Sequence, residues 1–236
     1  ASGQAGAKPA KAASVNSADA TFIGDADCLA CHDKYQAGLD KSLHGKAIDA
    51  RTPAAARSCQ ACHGPGSKHA EDPENNAMIN FDKISASKST AVCVTCHATG
   101  EHTLFAGSKH ELRNVSCVAC HSVHAPKGPQ LLKAETEVKL CATCHQSIVN
   151  KVYRFNHMPV REGKMTCASC HNVHGSANVK LLKAGTTVDQ SCASCHAEKR
   201  GPFLWEHAPV RENCLNCHDA HGTIQEKMLK VKQPLL

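Results

Sequence analysis

Hydrophobic and polar residues alternate along this chain in short, interrupted patterns. Segments 135–146 and 187–197 have a spacing that fits two or three helical turns, and we predict helices there. Pro and Gly interrupt the spacers "HGPG", "HAPKGP" and "RGPF", which disfavours long elements. No alternating strand pattern persists, and no apolar run approaches the roughly 18 residues of a membrane span. We therefore predict short α-helices, much irregular chain and little or no β-structure.

The composition provides little material for an apolar core. Aromatic residues make up only 3% of the 236 positions. Residues 1–20 are small, polar and unpatterned, which predicts a flexible tail, with an ordered arm that docks on a partner as the alternative. Residues 21–236 are predicted to form a single elongated domain.

All sixteen cysteines lie in eight copies of the word C-x-x-C-H. This word is typical of c-type haem attachment. The two thiols form thioethers with the porphyrin vinyl groups, and the adjacent histidine ligates the iron. The predicted thioether residues are Cys28, Cys31, Cys59, Cys62, Cys93, Cys96, Cys117, Cys120, Cys141, Cys144, Cys167, Cys170, Cys192, Cys195, Cys214 and Cys217. The predicted proximal ligands are His32, His63, His97, His121, His145, His171, His196 and His218.

Three other uses of paired cysteines fit this pattern poorly. Zinc sites do not require a histidine directly after each cysteine pair. A disulfide framework has irregular spacings, and a redox thiol motif appears once within a βαβ unit. We therefore predict eight haems c, which form the core that the polypeptide lacks.

The haems also change the charge of the protein. The polypeptide carries a formal net charge of +6. Each ferric haem adds about −1 because its two propionates outweigh the ring charge, so the holoprotein reaches about −2 when oxidised and about −10 when reduced. Lys and Arg then serve mainly as neighbours of propionates, and nucleic-acid binding is not expected.

Nine histidines lie outside the eight words, one more than eight second axial positions require. The predicted distal ligands are His44, His69, His110, His124, His157, His174, His207 and His221. His102, in "TGEHTLF", matches no repeated context and is interpreted as the spare histidine. Methionine is the competing ligand, but Met78, Met158, Met165 and Met228 are interpreted as packing residues. Histidine on both faces favours low potentials.

Three repeats cover the second half of the chain, at 107–145, 156–196 and 206–236. Each begins with a leading histidine, followed by C-x-x-C-H-x-x-H and a "LLK"-like step, and the first two repeats then add a second C-x-x-C-H. The third stops just before its second word is due. The last histidine of C-H-x-x-H cannot reach the distal face of its own haem, so we expect it to ligate a neighbouring haem.

Irons with both axial positions filled cannot bind substrate, so these patterns predict electron transfer. The segments "CHGPGSKH", "SKHELRNVSCVACHSVH", "HMPVREGKMTCASCHNVHG" and "CHAEKRGPFLWEHAPVRENC" resemble the DmsE/MtrA-type periplasmic multihaem cytochromes c, and the similarity covers about residues 21–236. The resemblance implies an elongated, eight-haem, periplasmic-side component of a porin–cytochrome conduit for extracellular electron transfer.

The resemblance also implies a location and partners. The chain would act in the periplasm, associated with the outer membrane, after export and removal of a leader. It would receive electrons from a periplasmic or inner-membrane donor cytochrome. It would pass them through an outer-membrane β-barrel porin to a surface multihaem cytochrome.

Two other functions remain open from the sequence. A multihaem reductase for nitrite or a sulfur oxyanion would need one haem with a free axial position, and the surplus of histidines disfavours it. A subunit of a polymerising cytochrome nanowire would need haems that stack between copies. If the protein transfers electrons through haems with both axial positions filled, we expect no enzymatic activity.

Overall fold

The fold was obtained as a computed structural model that describes residues 18–205, 207–233 and 235, without the side chain of Met158. Most of the predicted tail, residues 1–17, lies outside the described residues. The α-helices are α1 Asp25–His32, α2 Gln36–Asp40, α3 Pro53–Ala56, α4 Gln60–His63, α5 Ser67–Glu71, α6 Ala86–Val94, α7 Cys117–Cys120, α8 Glu137–Ala142, α9 Gln146–Val152, α10 Met158–Arg161, α11 Cys167–Cys170, α12 Val188–Ala193 and α13 Ala208–Glu212.

Short 3-10 turns join these helices. They span Asp33–Tyr35, Leu43–Gly45, Gly100–His102, Glu111–Arg113, Pro129–Leu131, Val179–Leu181, Ala197–Lys199, Cys214–Asn216 and Glu226–Met228. Among the described residues, β-structure is limited to isolated bridges. The predicted fold of short helices and irregular chain is confirmed.

The two helices predicted from spacing are present but shorter than the predicted segments. Helix α8 begins after Thr136, and α12 begins after Thr187. Each threonine hydroxyl accepts a hydrogen bond from the backbone N–H three residues later, which satisfies one of the free donors at a helix start. Both helices end just after the first cysteine of a C-x-x-C-H word, so the caps set where those words lie.

The described residues group into two compact units. The N-terminal unit comprises the described residues up to 93 together with 123–125, and the C-terminal unit comprises 94–122 and the described residues from 126 onward. The prediction of one elongated domain remains a prediction. Within the described part of the chain, no helix combines the length and the apolar character that a membrane span requires.

Polypeptide alone provides very little core. The apolar side chains buried among the described residues are Phe105, Leu132, Val149 and Leu182. A chain of this length normally buries about 70–75% of the surface that it exposes when unfolded. Here Leu204 and Trp205 are 96% and 93% exposed. The polypeptide of the described residues therefore buries far less apolar surface than a chain of this length usually does.

A small hairpin follows each first C-x-x-C-H word of the three repeats. Proximal His121 bridges Leu132, His171 bridges Leu182, and His218 bridges Leu229. Two residues before each bridge, Gln130, Lys180 and Lys227 have φ between 53° and 55°, in the left-handed region. The "LLK" and "MLK" steps of the sequence are thus the returning arms of three equivalent hairpins.

Candidate haem-binding sites

Six of the eight proximal histidines face a predicted distal histidine at nearly the same separation. The ring centres lie 6.1–6.3 Å apart in every case. The pairs are His32–His69 and His63–His124 in the N-terminal unit, and His145–His110, His121–His174, His171–His221 and His196–His157 in the C-terminal unit.

This separation fits an iron held between two imidazoles. A metal–imidazole bond of about 2 Å on each side places the two ring centres roughly 6 Å apart. Two rings in direct van der Waals contact would lie closer together. In each pair the proximal histidine directly follows two cysteines, as covalent haem attachment requires. The residues therefore fit haem c with histidine on both faces.

The hairpins orient the proximal rings. The Nδ1–H groups of His121, His171 and His218 donate to the carbonyl oxygens of Gln130, Lys180 and Lys227, at 2.9, 2.7 and 2.9 Å. A carbonyl can only accept, so Nδ1 carries the proton and Nε2 keeps its lone pair for a metal. A partner of this kind fixes the ring and raises its basicity as a ligand. Sequence reasoning missed these carbonyls, although the repeated "LLK" step marked their position.

The leading histidines are oriented in the same way by the next repeat. His110 donates from Nδ1 to the carbonyl of Val173 at 2.9 Å, and His157 donates to that of Ala220 at 3.1 Å. Val173 and Ala220 each directly precede the last histidine of a C-H-x-x-H word. One loop therefore presents its own distal histidine and also orients the leading histidine of the preceding repeat.

Burial favours the neutral form of two of the C-H-x-x-H histidines. It lowers the pKa of both His174 and His221, and neighbouring imidazoles lower it further, while the Asp219 carboxylate acts in the opposite direction at His221. A neutral imidazole is the form that binds a metal. Gly175 and Gly222 follow these histidines at φ of 135° and 122°, and a side chain there would collide with the backbone carbonyls of Leu104 and Lys151. Glycine thus lets the ligand loop approach the neighbouring segment closely.

His102 has a different setting from the paired histidines. Its ring centre lies 4.4 Å from that of His174 and 5.6 Å from that of His97, which is too close to His174 for a metal between them. This packing is compatible with its interpretation as the spare histidine. His44, His97, His207 and His218 are absent from the six pairs, and their axial roles remain predictions.

Cysteines of successive words lie side by side. The thiols of Cys141 and Cys167 come within 4.8 Å of each other and of the Glu137 carboxylate. Cys192 and Cys214 also form a side-chain contact, as do Cys28 and Cys59. Each pair joins two different C-x-x-C-H words, so these thiols mark adjacent attachment points. Burial, with help from Asp189, raises the pKa of Cys214 to about 12.

Two acidic side chains form hydrogen bonds that connect consecutive repeats. Glu137 accepts a hydrogen bond from the backbone N–H of Ala168 at 2.5 Å, and Asp189 accepts one from that of Cys214 at 2.7 Å. Each acid precedes the second word of its own repeat and binds the start of the next first word. Hydrogen bonds to charged groups are among the stronger ones. These contacts position adjacent words, and sequence reasoning did not identify them.

Replacement of Glu137 should loosen this junction. We expect Glu137→Ala to lower the free energy of unfolding of the holoprotein by about 1.5–3 kcal/mol, because a hydrogen bond to a charged group is lost. Chemical denaturation followed by haem absorbance measures the change. Glu135→Ala is the matched control, because Glu135 pairs only with the exposed Lys139 and exposed pairs contribute little. Equal decreases in the free energy of unfolding of the two variants would contradict the proposed role of the Glu137 hydrogen bond.

Matches to known proteins also point to a multihaem cytochrome c. Residues 157–201 and 207–236 match a family described as "Doubled CXXCH motif". Residues 59–144 match a family described as "Cytochrome c-type protein NrfB-like". The chain is also 41% identical over 148 residues to the multiheme cytochrome MtrA of Shewanella baltica (strain OS185).

The match to that relative is partial. It covers 61% of this chain and 44% of the relative, so the chain spans less than half of the relative's length. The matched residues include the cysteines of seven of the eight C-x-x-C-H words, all except Cys28 and Cys31, and five of those seven words carry a histidine pair described above. Sequence and geometry thus identify haem c as the cofactor.

Proposed function

We propose, from the premise that this chain belongs to the MtrA-type multihaem c-type cytochromes, that it transfers electrons along a row of eight haems c. The observation that carries the proposal is the recurrence of six histidine pairs at 6.1–6.3 Å. An iron with an imidazole on each face has no free position for substrate, and haem c supplies reversible one-electron chemistry.

The chain's own residues set the ligands and the spacing. The sixteen cysteines attach the haems, and the six pairs support His69, His124, His110, His174, His221 and His157 as distal ligands. His44 and His207 complete the predicted distal set. The hairpin carbonyls hold the proximal imidazoles in one tautomer and orientation, so the ligand field does not have to rearrange when an electron arrives.

The order of the row follows from the adjoining cysteines. Contacts between Cys141 and Cys167 and between Cys192 and Cys214 place the fifth word beside the sixth and the seventh beside the eighth. Cys170 also lies near Cys192 and Cys195, which joins the sixth word to the seventh. From the fifth word to the eighth, neighbouring attachment points therefore follow sequence order, which supports a continuous electron path.

The cellular role follows from the family. We place the protein in the periplasm, associated with the outer membrane. There it would accept electrons from a periplasmic or inner-membrane cytochrome and pass them through a porin to a surface multihaem cytochrome. The proposed function includes no catalytic turnover of a substrate.

Anaerobic reductive titration of the purified holoprotein tests electron transfer. We expect each chain to take up eight electrons over a broad range of low potentials, with no steady turnover of nitrite or sulfite. Co-purification with an outer-membrane porin would support the conduit. Sustained turnover would favour the reductase, filaments formed without a porin would favour the nanowire, and uptake of fewer electrons would contradict the haem count.

A further inference from the structure

Two histidine pairs of the C-terminal unit share the same ligand types and almost the same geometry. In both His121–His174 and His171–His221 the ring centres lie 6.2 Å apart, and the rings are inclined by 19° and 11°. Both proximal rings donate from Nδ1 to a hairpin carbonyl, at 2.9 and 2.7 Å. The ligands alone therefore predict similar reduction potentials for the two irons.

The two sites differ in the residue that lies two positions before each distal histidine. This residue is Asn172 before His174 and Asp219 before His221. The Oδ1 atom of each accepts a hydrogen bond from the backbone N–H of the histidine, at 3.2 and 3.0 Å. The two side chains therefore occupy the same place in the loop, and one repeat has a carboxylate where the other has a neutral amide.

The Asp219 carboxylate also faces the ring of the distal ligand. Its Oδ1 lies 3.7 Å from Nδ1 of His221, which is longer than a hydrogen bond, so the carboxylate acts on the ring through its charge. A carboxylate beside a ligand imidazole makes that imidazole a stronger electron donor to the metal. Among the described residues, Nδ1 of His174 is instead buried without a hydrogen-bond partner.

Lys151 holds the carboxylate in place without cancelling its effect on the ring. Its Nζ donates to Oδ2 of Asp219 at 2.7 Å, and the Asp219 side chain is only 23% exposed, so water screens its charge weakly. Burial has the largest effect on the pKa of His221 and lowers it. Of the two charged neighbours, Asp219 raises this pKa by more than Lys151 lowers it. The ion pair thus leaves a net negative field at the ring.

The acid near the other distal ring has a weaker influence. Burial has the largest effect on the pKa of His174 and lowers it, and Glu101 raises this pKa by less than the nearest imidazoles lower it. The Glu101 carboxylate is exposed and lies 3.8 Å from Nζ of Lys183. Water and this ammonium group therefore screen its charge.

We infer that Asp219, held by Lys151, sets the reduction potential of the His171 iron below that of the His121 iron. Reduction adds one electron to an iron and keeps both axial bonds, so a nearby negative charge favours the ferric state. The inference rests on the proposed function and adds a difference in potential between two haems with the same ligands. An electron shared between these two irons would therefore reside mainly at the His121 iron.

Redox titration of the holoprotein, followed by EPR of the ferric haems, tests the inference. We expect Asp219→Asn to raise one midpoint potential and to change the equilibrium constant for electron exchange with the next haem about tenfold, which corresponds to about 59 mV. Asn172→Asp should lower the potential of a different haem, because it places the same charge beside His174. Unchanged potentials in Asp219→Asn would overturn the inference.

Variants of the two members of the ion pair separate an effect of charge from a loss of structure. We expect Lys151→Gln to lower the potential that Asp219→Asn raises, because the carboxylate loses its positive neighbour. A shift in the same direction in both variants would indicate a structural role and contradict the inference.

Glu198→Gln is the matched control for the carboxylate. Glu198 lies 3.6 Å from Nδ1 of axial His196, but both side chains are more than half exposed, so we expect a much smaller shift. A shift as large as that of Asp219→Asn would contradict the role given to the buried ion pair. Failure of the proposed function would appear separately, in the unmodified protein, as uptake of fewer than eight electrons or as sustained turnover of nitrite or sulfite.

Discussion

Replacement of His174 by Met should raise the midpoint potential of one haem by about 0.1–0.3 V, because thioether ligation favours ferrous iron. His174 faces His121 at 6.2 Å, so the affected iron is the one at His121. An electron would then be held at this haem. Since about 59 mV corresponds to a tenfold change in the equilibrium constant, a rise of 0.2 V slows electron transfer from this haem to the next one by roughly a thousandfold. Protein-film voltammetry gives the potential, and single-turnover oxidation gives the rate.

His102→Met is the matched control for this prediction. The His102 ring touches that of His174 but lies too close to it to share a metal. We expect the control to leave every potential within a few tens of millivolts of its original value, since no axial ligand changes. If His102→Met raised one potential as much as His174→Met does, the assignment of the distal and the spare histidine would be reversed.

Production of the chain without haem should abolish the cooperative fold. The described residues bury only four apolar side chains, and this cannot offset the conformational entropy of ordering more than 200 residues. As in proteins with structural metals, cofactor binding and folding are then a single event. We expect the haem-free chain to lose most backbone amide protection, including that of Ser122, Asn172 and Asp219 in the three hairpins.

Hydrogen exchange measures this difference directly. The comparison is between holoprotein and haem-free chain produced in a compartment without the haem-attachment machinery. Reduced holoprotein is the control, because it changes the charge of the haems while keeping every thioether. A haem-free chain with a sharp unfolding transition and protected hairpin amides would show that the polypeptide supplies its own core.

Local patterns were sufficient to predict the cofactor and its attachment. A c-type haem needs two thiols and one imidazole within five residues, so the word Cys167 to His171 is complete before any folding occurs. The short helices were also predictable, since Thr136 and Thr187 cap their helices through hydrogen bonds to residues three positions on. The interpretation of His102 as the surplus histidine came from its unmatched context and stays a prediction.

Contacts between distant segments could not be read from spacing alone. The acids Glu137 and Asp189 bind backbone that lies 31 and 25 positions away, and nothing in their own surroundings marks them. The hairpin carbonyls are backbone atoms, so no residue type reveals them. These carbonyls recur at the same sequence distance after each first C-x-x-C-H word, and only this regular spacing could have suggested their role.

The sequence by itself determined the chemistry of this protein, because covalent haem attachment depends on neighbouring residues, and it supplied enough histidines for two axial ligands on each iron. Only the tertiary structure showed which histidines of distant words come together in pairs. His171 and His221 lie far apart in the chain, and they meet because one repeat packs against the next.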